Sequence, residues 1–174
     1  MQNKIERYIP LIVTVGQVVI FPYYIVWLKE VSFSYTLFAW LFATFSFAAA
    51  WGYRFFQSRG EKPRSFITSV YVAMGVVYIV VGYWKLLIEY LPYVALMTQI
   101  VLGFLQGYFR AWHTKQRSYH VHAINHYLIV GVIMIALSFM KVVSPSIFLT
   151  VFGIILCMCG IWEVVRRKKF RNSC

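Results

Sequence analysis

The chain has 174 residues, 61% of them hydrophobic, and a formal charge of +12 from 17 Lys and Arg against five Glu and no Asp. Long apolar stretches leave no room for a soluble domain, so residues 1–174 read as one membrane domain. The positive excess sits in short segments between those stretches rather than on a folded surface, which excludes a nucleic-acid groove and favours contact with anionic lipid head groups.

Six apolar stretches are expected to be helices, at about 8–28, 33–53, 66–88, 92–112, 123–141 and 145–165. Each is long enough to cross a hydrocarbon core of ~30 Å at ~1.5 Å per residue.

The first follows Lys4 and Arg7 and runs directly into Lys29 and Glu30 with no small-residue cleavage pattern, so it reads as a retained helix rather than a signal peptide. It carries Thr14 and Gln17, less than a turn apart, and Pro22 near its far end, where a bend is expected. The second span holds Trp40 away from its ends and closes on Trp51.

The third and fourth spans carry the polar residues that matter most. In the third, Tyr71, Gly75, Tyr78, Gly82, Lys85 and Glu89 fall on one face, with Lys85 and Glu89 spaced to pair along the helix. In the fourth, Gln99, Gly103, Gln106, Arg110 and His113 recur at steps of four, three, four and three, again one face. Polar groups at mid-membrane depth cost free energy unless they are paired or line water. A ligand site of Gln17, Tyr71, Tyr78, Gln99 and Gln106 would hydrogen-bond a small polar solute between aromatic walls, with Arg110 as an anion contact or gate on the inner side. The competing reading is that these residues only tie helices together.

All four histidines gather around the loop before the fifth span: His113, His120, His122 and His126. His122 and His126 share a helix face at the spacing of a transition-metal pair, and His113 with His126 could hold a haem near the inner surface. Against this, no carboxylate is near to orient a ring, and Lys115 and Arg117 would repel a cation. Interfacial histidines fit better, and no cofactor is expected.

The sixth span presents Ser146, Thr150, Gly153, Cys157 and Gly160 as a groove of small residues, either packed within the bundle or a docking face for a partner subunit or a second copy. Beyond it Glu163 is spaced to pair with Arg167. Three cysteines (Cys157, Cys159 and Cys174) do not make a disulfide framework. The pattern Tyr71–Gly75–Lys85 is echoed by Tyr127–Gly131–Lys141, which raises the possibility of an internal repeat of hairpins.

Charge sets the expected orientation. The N-terminal tail, the second and fourth loops and the C-terminal tail hold 14 of the 17 Lys and Arg, while Lys29, Lys85 and Lys141 lie on the other side. Basic loops stay cytoplasmic, so both termini are expected inside. Trp27, Trp51, Trp84, Trp112 and Trp162 fall at span ends, where indole rings favour the head-group level. Outer connections are short, which predicts antiparallel neighbours. The expected fold class is therefore all-α: an integral membrane protein of six transmembrane helices in three helical hairpins.

No hydrolase signature, paired aspartates or phosphate loop is present, so catalysis is not expected. The leading expectation is a small-solute-binding or transport subunit in a bacterial plasma membrane, with a partner needed for active transport. The alternatives are a non-catalytic interaction, assembly, signalling or immunity subunit, and a haem- or metal-binding redox protein.

Overall fold

A computed structural model describes residues 4–29, 34–58, 64–83, 90–115, 119–138 and 144–171, with side chains at 9–26, 34–58, 66–83, 90, 92–115, 128–137 and 144–165. These residues are all-helical, with no strand among them. The helices are α1 (Lys4–Lys29), α2 (Tyr35–Ser58), α3 (Arg64–Tyr83), α4 (Leu91–Thr114), α5 (Tyr119–Ser138) and α6 (Pro145–Arg171). Each matches one expected span. α2 runs five residues further, to Ser58, and α6 continues into the basic tail. α1 stays helical through Pro10 and Pro22, each of which removes one backbone donor.

Four segments are long and apolar enough to cross a membrane: Ile9–Val26, Tyr35–Ser58, Phe66–Tyr83 and Pro145–Val165. They point to a membrane-embedded protein. The exposed surface has the matching character, with Phe47, Trp51, Leu128, Val132, Met158 and Ile161 all turned outward. α4, also 24 residues long, carries Gln99, Gln106, Arg110 and His113 along its length. Burial accommodates three of them, since Gln99, Gln106 and His113 are buried with Ala95, Leu102, Tyr108, Phe109 and Ala111, whereas Arg110 is exposed. A central helix can carry polar side chains that a lipid-facing one cannot. In α5 the described apolar run is Leu128–Leu137.

The packing corrects the expectation that chain neighbours pair most closely. The tightest seams join α2 to α4 and α3 to α6, with lighter contact of α1 on α6 and α5 and of α3 on α4. Among the described residues, α1 with α2 and α5 with α6 form no comparable seam. The physical reason is the placement of small residues. Lipid tails are as apolar as the helices, so association depends on how closely backbones can approach. A Cβ at Gly75 would lie 2.6 Å from the Gly153 carbonyl oxygen, and a Cβ at Gly153 would lie 2.6 Å from that of Gly75. In the other seam, Gly52 faces the Phe104 carbonyl and Gly107 the Ala49 carbonyl. Backbone meets backbone at both crossings.

These seams bear on two further expectations. The small-residue face of α6 packs against α3, since Gly82 lies against Thr150 and Ser146, and Gly160 against Val72. The suspected repeat equates Gly75 with Gly131, yet Gly75 is wedged against α6 and Gly131 has nothing within 4 Å. The two positions share a pattern without sharing an environment. Lys85, Glu89 and the side chains of Trp27 and Arg167 lie outside the described residues.

Candidate functional site

The inward face of α1 is a stripe at steps of three, three, four and three: Leu11, Thr14, Gln17, Phe21 and Tyr24. α4 answers with Gln99, Leu102, Gln106, Arg110 and His113. Both spacings keep side chains on one side of a helix. Between them lies a cavity of about 610 Å³, closed further by Phe42 and Phe45 of α2 and Tyr78 of α3. That volume falls in the roughly 300–1,000 Å³ range of small-molecule sites.

Five of the six side chains singled out in the sequence line this one cavity: Gln17, Tyr78, Gln99, Gln106 and Arg110. Tyr71, also expected in the ligand set, is not among the lining residues of this cavity. It is buried in the core, with its ring 5.6 Å from that of Phe109, and its hydroxyl has no hydrogen-bond partner among the described residues. Two helical turns separate it from Tyr78, and the α4 aromatic covers it. Gly103 was also expected on the polar face, but it turns to the α2 seam, against the Phe45 carbonyl. Leu102 takes its place in the lining.

The glutamines differ in how their hydrogen-bonding capacity is used. Gln106 donates from Nε2 to Tyr78 Oη at 3.2 Å, tying α4 to α3. Gln17 donates from Nε2 to Met74 Sδ at 3.6 Å, a weak acceptor. Gln99 is only 5% exposed, lines the cavity and makes no hydrogen bond to any described residue. Its amide is open to the cavity, where water or a ligand can satisfy it. Gln106 and, through a weaker acceptor, Gln17 thus tie helices together, while Gln99 is tied to no described residue.

Charge is confined to one end. Arg110 and His113 line the cavity near the C-terminal end of α4, with the His113 ring stacked on Phe109 at 5.6 Å and 13°. No carboxylate is among the described lining residues. His113 thus belongs to the cavity, a role the histidine clustering did not reveal. The side chains of His120, His122 and His126 lie outside the described residues, and no group of three metal-ligating side chains occurs among the described ones.

Sequence reasoning missed Tyr24, Phe21, Phe42 and Phe45. Tyr24 could have been found, since it continues the Thr14–Gln17 stripe at helical spacing. Phe42 and Phe45 carried no such signal in an aromatic-rich helix.

A second, wholly apolar pocket of about 320 Å³ lies between α1, α5 and α6, bordered by Val15, Val19, Ile133 and Ile155 among others. It offers no polar group to orient a ligand.

No known protein family matches this chain, and neither a characterised protein nor a solved structure shows significant similarity to it.

Proposed function

We propose that this chain is a small-solute-binding or transport subunit of a bacterial plasma membrane, with six crossings and both termini cytoplasmic, and that its ligand occupies the cavity between α1 and α4. The observation that carries the reading is Gln99: a largely buried carboxamide that faces a ligand-sized space and that no described residue engages. A solute with a carbonyl, hydroxyl or amide group satisfies it, and Tyr24, Phe42 and Phe45 supply walls against which a flat or apolar body packs.

The test is thermal stability of the protein in nanodiscs against a panel of amides, hydroxylated aromatics and aromatic carboxylates. A ligand at about 100 times its Kd stabilises by roughly 2.7 kcal/mol, or about 5–10 °C for a chain of this size. The shift is expected to vanish in Gln99→Leu and Gln106→Leu. A panel without effect, or a shift that survives in both variants, removes this cavity as the site.

A further inference from the structure

The cavity is neither sealed inside the bundle nor open only at one end. Val18 and Phe21 of α1 line it, and each remains 45% exposed. Both lie on the α2 side of α1, where the bundle has no tight seam. What bridges that gap is an edge-to-face contact of Phe21 with Phe42, ring centroids 5.7 Å apart at 84°. An apolar rim at a helix gap opens onto lipid rather than water. Aromatic rings there can swing aside without breaking a hydrogen bond.

The interior has a direction. Lining residues run from Gln99 to Thr114 on α4, about 22 Å along the axis at ~1.5 Å per residue. The walls are chiefly apolar or aromatic along this length, and the cationic group, Arg110, stands toward one end. Arg110 is exposed, with no ion-pair partner among the described residues, and no carboxylate is among the described lining residues. A guanidinium at that end attracts an anion and repels a cation.

Building on the reading above, we infer that the ligand is a membrane-partitioned anionic amphiphile that enters sideways between α1 and α2 at Phe21 and Phe42. Its carboxylate or phosphate head rests at Arg110, and its alkyl or aryl body lies along Phe45 and Leu102. Gln99 contacts a polar group on the body or a water that accompanies it. A freely water-soluble solute would need no lipid-facing portal, and a neutral lipid would leave Arg110 without a role.

The test uses the full chain in nanodiscs of neutral phosphatidylcholine, with 11-(dansylamino)undecanoate as fluorescent probe. Laurate, dodecyl phosphate and dodecanol compete for the probe. The two anions are expected to displace it, and the stronger of them identifies the head group; dodecanol is expected to be at least tenfold weaker. Arg110→Gln should weaken laurate about tenfold and leave dodecanol unchanged, with Arg110→Lys retaining most of the affinity. Val18→Trp, which fills the portal, should slow probe association at least tenfold. Equal competition by dodecanol, or undiminished laurate binding in Arg110→Gln, overturns the anion assignment. Unchanged association in Val18→Trp overturns the lateral route. Absence of probe binding alongside Gln99-dependent stabilisation by a short polar solute overturns this inference and leaves the proposed function standing. Absence of both overturns both.

Discussion

Gln106 reaches across from α4 to donate a 3.2 Å hydrogen bond to the hydroxyl of Tyr78 on α3, and both side chains are buried and line the same cavity. The bond is at once part of the bundle's lateral bracing and part of the wall of the site. α3 is itself locked to α6 and α4 to α2. Gln106 and Tyr78 therefore join two helix pairs that otherwise touch lightly.

That position makes the bond measurable. Hydrogen bonds between membrane helices contribute about 0.6 kcal/mol on average and up to about 1.7 kcal/mol. Tyr78→Phe is expected to destabilise the bundle by this amount. Gln106→Leu should cost about the same, and the double variant no more than the larger single effect. Thermal or denaturant unfolding of the four proteins gives the coupling directly. Fully additive losses would show that the two side chains act separately.

Gln99 should behave in the opposite way. It makes no bond within the described protein, so Gln99→Leu replaces a cavity-facing amide and leaves no described partner orphaned. The ligand-free protein is expected to keep its stability or gain up to about 1 kcal/mol, while ligand-dependent stabilisation is lost. Unfolding with and without ligand separates the two effects. A marked loss in the ligand-free variant would show that the amide has a structural partner.

How far the sequence discloses this architecture depends on the kind of signal. Apolar length located the helices to within a few residues because lipid demands it of every exposed span, and the Gln99–Gln106–Arg110 spacing set the cavity face of α4 because a helix repeats every ~3.6 residues. Pairing was not legible. Loop length suggested that chain neighbours pack, whereas the choice was made by which glycines meet which backbones, a match between distant segments that no local window contains. Tyr71 shows the same limit. It shares helical phase with Tyr78, but only the position of Phe109 decides that one ring is covered and the other faces the cavity.

The seams give a paired test of glycine. Gly75 and Gly131 look alike in sequence, yet a methyl group at Gly75 would press on Cys157 Sγ and the Gly153 carbonyl, each 2.6 Å away, and one at Gly131 meets nothing within 4 Å. Overpacking at a close crossing costs about 1–3 kcal/mol, so Gly75→Ala should lower the unfolding temperature and the yield of folded protein. Gly131→Ala should be neutral or stabilise by up to about 1 kcal/mol through helix propensity. Equal sensitivity at the two positions would mean that Gly131 is packed against a helix after all, as a true repeat requires.

Orientation is the last consequence of the charge pattern. Ser58 ends α2 beside the basic segment at 59–64, and Lys115 closes α4, so the proposed topology puts both on the cytoplasmic side. Single cysteines at Ser58 and Lys115, in a background with Cys157, Cys159 and Cys174 replaced, should react with a membrane-impermeant maleimide in inside-out vesicles and resist it in intact cells. A cysteine at Ser34 or Ser144, before α2 and α6, should show the reverse. Both groups lie at helix ends, so accessibility reports side rather than depth. Labelling of Ser58→Cys and Lys115→Cys from opposite faces would place an odd number of crossings between them, and Arg110 could then no longer serve as a cytoplasmic-side anion contact.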